Sequence, residues 1–374
     1  MRKRLVLIGG GHAHMLTLSR LETIVEKGVH VTVIGPSDYH YYSGMGPGML
    51  AGTYQPEEIR FATRQVVEKQ GGTFVSGKAV GIDPVKKVIS LQNGDILSYD
   101  VLSCNAGSHV PKPAIEDDPS DIFTVKPIER LMEAKARLVD RFGRDPLDVV
   151  IVGGGPSAAE VAGNIWQLAT TAGGHMPRIT ICAGKTFMSR FPAAVRHRII
   201  DTLSQRGIAI ESGYVQSVSA GGVMMDDGKT LPSDFVFLAL GVKPSEIFAD
   251  SGIPTGPDGG LLVNRFLQSP PHPDIFGGGD CIYFQDQPLD KVGVYAVRQN
   301  PVLFHNLMAR LDGSDLKPFV PGGDYLLIFN LGGGVGVLKK GWLTFGGRLA
   351  FVIKDYIDRK FMKEFQAIES SIHS

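Results

Sequence analysis

Two glycine-rich loops, Gly9-Gly10-Gly11 and Gly153-Gly154-Gly155, each follow an apolar run (residues 5–8 and 149–152) and each lead into a helical pattern. A strand that ends in glycines and turns straight into a helix brings bare backbone against phosphate, whose charge then rests on the helix N-terminus. One such loop is compatible with an ordinary tight turn. Two in the same strand-to-helix context predict a chain that holds two dinucleotides. In the second loop Gly153, Gly155 and Ala158 fill the three small-residue places, with Ser157 opening the helix. In the first, Gly9 and Gly11 fill two places and His12 and Ala13 follow, but His14 stands where a glycine or alanine would let helix and strand close together.

A third element supports the pair. Residues 274–280 read as a buried strand ending in Gly277-Gly278-Gly279-Asp280, a carboxylate of the kind that hydrogen-bonds a flavin ribityl chain or pyrophosphate. The chain of 374 residues is long enough for two or three domains, and 43% hydrophobic against 20% charged residues indicates a globular protein. Thirty-eight Lys and Arg balance 38 Asp and Glu, so no overall field recruits nucleic acid, and none is expected as a partner. Cys104, Cys182 and Cys281 have neither Cys-x-x-Cys nor metal-finger spacing, which points to a reducing cytoplasm and no metal site. His12 and His14 straddle Ala13 without a carboxylate or thiol nearby, so they are not read as metal ligands. The apolar run after Arg2-Lys3-Arg4 stops at Gly9, too early for a secretory signal, and no run reaches the roughly 18–20 apolar residues of a membrane span.

Periodicity predicts a strand, helix and strand over 5–34, with the helix at 13–25 and the second strand at 29–34. A meander of hairpins follows over 74–102, then a small-residue turn, Asn105-Ala106-Gly107, suited to close cofactor approach. Pro and Asp mark 111–121 as a crossing into a second unit. That unit repeats the plan with strand 149–152, helix 157–170, strand 178–182, helix 193–206 and strand 235–240; a second crossing at 241–258 returns to the first unit. The expected domains are 1–112 with 255–315, 113–254, and a C-terminal region 316–374. Neither second strand ends in the acidic residue expected for a ribose. After the first come Gly35-Pro36, then Ser37 and Asp38; after the other come Lys185 and, later, Arg190, which favour a 2′-phosphate and NADPH unless they are solvated loop charges.

With these features in place, the chain resembles the two-dinucleotide-domain flavoproteins, the pyridine nucleotide-disulfide oxidoreductase group. Within it the sequence is similar to the type 2 NADH dehydrogenase branch, and closer still to the flavoprotein module fused ahead of selenide water dikinase. The matching stretches are Gly9 to His14, Tyr42-Ser43-Gly44-Met45 with Pro47-Gly48, Gly293-Val294-Tyr295-Ala296-Val297-Arg298-Gln299, and 354–362; a stand-alone form without the kinase is expected. The resemblance implies an α/β fold of two Rossmann-like domains in the three-layer arrangement of glutathione reductase, with FAD in the first and NAD(P)H in the second. It places Val80, Ala106, Gly107, Gly279, Asp280, Gly293 and Val294 with the first loop and Ser37 around FAD, and Gly241 and Lys185 with the second loop around NAD(P)H. It further implies that the helix from Gly293, with Lys291 before it, aims positive potential at the flavin. Glu160 matches a glutamate lying near nicotinamide and flavin in relatives; its plain alternative is a solvated carboxylate on the first turns of a helix.

The paired cysteines of the disulfide reductases have no counterpart at 41–47, so a thiol relay is not expected, and only Cys281, beside Asp280, is kept as a candidate redox thiol. Electrons then pass directly to a quinone or another small acceptor. Gln299 matches one of two glutamines that line the quinone site in type 2 dehydrogenases, and Tyr295 replaces the other. A selenium- or sulfur-compound oxidoreductase, or a slow flavin-binding redox sensor, are the alternative functions. A helix over 347–368 carries Leu349, Ile353, Tyr356, Phe361, Phe365 and Ile368 near one face. Its other face carries Arg348, Lys354, Arg359, Lys360 and Lys363 against Asp355, Asp358 and Glu364. Such a helix either lies on the membrane face of the cytoplasm or packs on protein, the flavin domain or a second subunit. Residues 39–42, Tyr-His-Tyr-Tyr, either wall the flavin or form a packing cluster.

Overall fold

The computed structural model describes residues 2–115, 121–220 and 222–371. The first apolar run forms the strand Arg4–Ile8, buried beyond its first residue. It lies at the centre of a five-stranded sheet in the spatial order 275–277, 101–104, 4–8, 30–35, 73–76. Every pairing in that sheet is parallel. The strand order reverses on either side of the central strand, and in open α/β sheets such a switch point leaves a crevice at the strands' carboxyl ends. The first glycine loop opens there. Gly9 has φ +87°, and a Cβ on it would stand 2.3 Å from the Asn105 carbonyl oxygen, so the turn and the approach of the next strand both require glycine.

The second unit follows the same plan, with strands in the order 122–124, 235–238, 148–152, 178–182, 209–211, again all parallel. Its loop leads into the long helix Pro156–Ala172, whose buried face is built mainly from Ala158, Ala159, Val161, Ala162 and Ile165. Gly153 has φ +142°, and a Cβ on it would stand 2.2 Å from the Ala239 carbonyl oxygen. The crossing expected at 111–121 includes 116–120, which lie outside the described residues. A short antiparallel ribbon joins Ser108–His109 to Lys243–Pro244. The meander takes the form of strands Ala79–Asp83, Val88–Leu91 and Ile96–Ser98.

One helix expected over 13–25 is instead broken into a 3-10 turn His12–His14, a helix Met15–Ser19 and a helix Leu21–Glu26. His14 accounts for the irregular opening. Its ring is fully buried in the place usually kept for a small residue, with Nδ1 2.6 Å from the Gly9 carbonyl oxygen and Nε2 2.8 Å from Ser103 Oγ. Nδ1–H donates to the carbonyl, so Nε2 accepts from the hydroxyl, which fixes the neutral tautomer. Burial agrees with this, lowering the imidazole pKa to about 4.

The C-terminal region is a three-stranded antiparallel sheet, Leu327–Asn330, Gly336–Lys340 and Leu343–Gly347, followed by the helix Arg348–Ser371. Its sheet is seated on the long second-loop helix, where a Cβ on Gly163 would stand 2.1 Å from the Leu331 carbonyl oxygen. The terminal helix corrects the face expected for it. Leu349 and Tyr356 are 63% and 67% exposed, while the inward stripe is Ala350, Lys354, Asp358 and Met362, all buried. Met362 joins the core of the second sheet, and Phe365 and Ile368 pack against the core of the first. Lys354 and Asp358, expected on the solvent face, are a buried ion pair at 2.7 Å, because the stripe that reaches the cores runs through every fourth residue.

Candidate functional site

Around the first loop the chain places polar groups that find no partner within it. Thr63 Oγ1 and Asn105 Nδ2 are buried without a hydrogen-bond partner, and both lie beside the loop, 3.0 Å and 2.7 Å from where a Cβ on Gly10 and Gly11 would stand. A buried donor left unsatisfied is costly unless a ligand completes it, so this cradle fits the dinucleotide expected from the sequence. Thr63 was not among the sequence candidates, and Asn105 was read there only as part of the small-residue turn Asn105-Ala106-Gly107. Beyond the second strand, Asp38 pairs with Arg64 at 2.7 Å, and both line a groove with Tyr39 and Ala62. Ser37 Oγ accepts from the Tyr39 amide in its own turn, and Val80 is an exposed strand residue.

Asp280 emerges from its strand as expected and is mostly buried. Burial opposes its charge, but Lys126 at 3.0 Å and the Ser108 hydroxyl at 2.8 Å hold its carboxyl below the usual carboxylate range. Lys126 carries no sequence signal, since it belongs to no motif and lies 154 residues from its partner. Gln299 is buried, and its Oε1 accepts from the Gly279 amide at 2.7 Å. It thereby shapes the turn that presents Asp280. Lys291 pairs with Asp258 at 2.7 Å and donates to the Ile282 carbonyl, so its charge is largely neutralised locally. The residue still lines the crevice formed with Gly279, Asp280, Val292, Tyr295 and Gln299. Gly293 and Val294 open the helix Gly293–Asp312, which has no side-chain cap. The Ala106–Gly107 turn lies against the Cys281 thiol.

Between the two loops lies a cluster that only the fold assembles. His12 of the first loop stacks on Phe361 at 5.3 Å and lies 5.2 Å from the Tyr42 ring. Tyr42 donates its hydroxyl to Asp358 Oδ1 at 3.1 Å, and Lys354 donates to Asp358 Oδ2 at 2.7 Å and to the Gly44 carbonyl at 2.9 Å. On the other side Glu160, from the second-loop helix, accepts the Asn330 amide at 2.8 Å through Oε1. Burial pushes its carboxyl up to about 7, with Lys354 and the Asn330 amide pulling the other way. Glu160 is therefore not a solvated helix carboxylate. Tyr42 sits in the field of both Asp358 and Glu160, and burial with those charges raises its pKa well above that of a free phenol. The aromatic run 39–42 thus splits: Tyr42 and His40 enter the cluster, and Tyr39 lies on the outer groove under Arg60.

At the second loop Gly155 caps the long helix, Ser157 is exposed on its first turn, and Gly241 turns at φ +82° beyond the strand Phe235–Leu238. Lys185 and Arg190 are exposed, and Arg190 approaches Asp290 at 3.8 Å rather than being held beside Gly184, over which Tyr214 packs. All three cysteines are free and buried. Burial pushes Cys182 to about 12 and Cys281 to about 11, and raises Cys104 well above an ordinary thiol. Cys281 Sγ also faces the Cys104 and Gly278 carbonyls at 3.4 Å. A protonated, enclosed thiol is a poor redox nucleophile, so the geometry removes Cys281 as a relay candidate.

The sequence profile of the pyridine nucleotide-disulphide oxidoreductase family matches residues 3–306. A type II NADH:quinone oxidoreductase of Staphylococcus saprophyticus is 23% identical over 351 residues, 85% of each chain. Among solved structures, that of NDH2 from Plasmodium falciparum in complex with NADH has a TM-score of 0.80 at 14% identity, covering 99% of this chain and 98% of the other. The sulfide:quinone oxidoreductase of Aquifex aeolicus has a TM-score of 0.79 at 20% identity, covering 98% and 92%. At these identities the structural likenesses establish the fold.

Proposed function

The chain belongs to the pyridine nucleotide-disulphide oxidoreductase family, and on that premise we propose that it is an FAD-dependent NAD(P)H oxidoreductase passing electrons directly to a small quinone-type acceptor. The observation that carries the reading is the cluster joining the two loops: His12 beside Tyr42, and Tyr42 in the fields of Asp358 and Glu160. The cluster thus brings together groups from both dinucleotide units. The first loop, Thr63, Asn105 and Asp280 would hold FAD, with Gly293 and Val294 at the crevice; Gly153, Gly155, Ser157, Gly241 and Lys185 would hold NAD(P)H. Held by these residues, flavin would supply the two-electron chemistry that links reduced nicotinamide to the acceptor.

The chain's own part is geometry and protons. A quinone leaves as a quinol only after taking up two protons, and NAD(P)H brings one with its electron pair. Glu160 holds a further proton at Oε2 while Oε1 stays on the Asn330 amide. Its pKa of about 7 suits transfer near neutral pH. The names of the NADH:quinone oxidoreductase relatives support a quinone as acceptor. Thiol-mediated sulfur oxidation finds no exposed cysteine among the described residues. Anaerobic titration with NADPH and, separately, NADH should bleach the visible flavin absorbance, and added quinone should restore it. No bleaching with either nucleotide would overturn the assignment.

The described residues include no helix long and apolar enough to cross a membrane. Trp342 at the hairpin tip is 95% exposed, and Leu343, Leu349, Val352 and Tyr356 are exposed on the adjoining strand and helix, with Lys340 and Arg348 near them. An apolar face rimmed by cations fits the headgroup boundary of an anionic bilayer. We propose that this face docks the enzyme peripherally where quinones are dissolved. Trp342 should then report binding directly, since the other tryptophan, Trp166, lies beneath Arg206. Anionic vesicles should blue-shift the emission and sediment the protein, and Leu349→Glu with Tyr356→Glu should prevent both. Unshifted emission, with the protein left in the supernatant, would exclude this docking.

A further inference from the structure

Two imidazoles meet beside the first loop, His12 from the loop's own helical turn and His40 from the strand His40–Tyr41. The His12 and His40 rings meet edge to face at 5.2 Å, with His12 Nδ1 3.5 Å from His40 Nε2. His40 Cε1 lies 3.4 Å from where a Cβ on Gly11 would stand. Thr63, 2% exposed, brings its unpartnered hydroxyl to the same loop. The two loops differ in what stands behind them. Seventeen aligned helical residues follow Gly155, whereas a three-residue 3-10 turn and a five-residue helix follow Gly11, so fewer peptide dipoles back the first loop. A dinucleotide's diphosphate brings about two negative charges to either loop. Lys126 does not balance them, because it is already paired with Asp280.

We propose that His12, backed by His40, takes up a proton from solvent when the flavin dinucleotide's diphosphate docks on the first loop, so that the imidazolium supplies the charge the short helix lacks. No covalent bond forms; the proton comes from the buffer and returns to it on release. The inference rests on the reading that FAD occupies this loop. The charged and titratable groups facing the pair are Lys126, Asp280 and Tyr42, while the terminal helix sets the rings of Phe361 and Phe365 against His12. In the protein alone, burial lowers the His12 imidazole to about 3 and that of His40 to about 4; repulsion from His40 and Lys126 adds to the effect on His12 against the pull of Asp280, and repulsion from Lys126 adds to it on His40. Bound diphosphate shifts both upward. Because the bound-state value is the higher one, FAD affinity is greatest on the acid side, falls as pH rises from the free value to the bound-state value, and is level above it.

The test uses the full chain stripped of flavin and reconstituted with FAD. Affinity is followed by flavin fluorescence across pH, and proton uptake by calorimetry in buffers of different ionisation enthalpy. The expected result is uptake approaching one proton, with binding weakening by up to about tenfold per pH unit, between the free value of about 3 and the bound-state value, and a flat profile without uptake above it. His12→Phe keeps the ring packing against Phe361 and should bind FAD more weakly at low pH, without uptake or pH slope. FAD binding by the unmodified protein with no uptake and a flat pH profile would overturn the proposal while leaving the flavin site standing. An uptake and slope retained by His12→Phe would do the same. Failure to bind FAD at any pH would remove the flavin reading as well. The calorimetric count on the unmodified chain needs no variant to fold.

Discussion

Glu160→Gln should slow turnover with a quinone about 100-fold while flavin content stays that of the native protein. The amide keeps the bond to the Asn330 amide through Oε1, so the loop from the C-terminal sheet stays in place, but Oε2 is exchanged for a group that cannot donate and recover a proton. The pH profile separates this role from a structural one. Burial lifts the Glu160 carboxyl to about 7, so native turnover should fall as pH rises through that value and the proton-bearing form is lost. The Gln variant should show no such break. The substitution's effect on stability is opposite to its effect on turnover. A carboxyl whose folded pKa lies above its unfolded value contributes stability that is present at low pH and lost as pH rises through the folded value. Glu160→Gln should therefore unfold at a higher temperature than the native protein on the alkaline side of 7. Rapid-mixing measurements of the half-reactions, with steady-state rates across pH, decide the matter. Native rates in the variant, or a break near 7 that persists, would take Glu160 out of proton transfer.

Lys354→Met should destabilise the chain by about 3–5 kcal/mol, the usual effect of breaking one half of a buried ion pair. Asp358 is buried on the inward face of the terminal helix, where the Tyr42 hydroxyl would remain to bond it. Its carboxyl pKa is already raised by burial, against the pull of Lys354, and removing the lysine would raise it further. The loss should accordingly be larger at alkaline than at acid pH, because protonation relieves the stranded charge. Pairing the change with Asp358→Leu should recover most of the stability, since an apolar pair of similar volume often does as well as a buried salt bridge. Denaturant midpoints for both single variants and the double variant give the coupling directly. An unmoved midpoint in Lys354→Met would mean that the inward stripe of the helix does not depend on the pair.

The two sheets were legible because their signal is local: an apolar strand, glycines, then a helix, within about twenty residues each. Asp280 was legible for the same reason, standing at the end of a buried strand. His14 marked a departure from the small-residue rule, but its resolution needed Ser103, a residue of the neighbouring strand, 89 positions away. Thr63 and Lys126 were missed, and the side chain of Asn105 was passed over within its small-residue turn, because their placement comes from sheet order rather than from neighbours in sequence. Lys354 and Asp358 misled for a physical reason. Charges four residues apart on an amphipathic helix usually face water, and only the position of the helix across two cores turns that pair inward.

That terminal helix has a thermodynamic consequence. Met362 is part of one core while Phe365 and Ile368 lean on the other, so a single rigid rod is stitched into both dinucleotide units. Neither unit can open by itself without tearing its neighbour's contacts away from the rod. Units fastened in this way lose independence as cooperative blocks, and the amides at the centres of the two sheets should exchange with solvent through one shared opening rather than two.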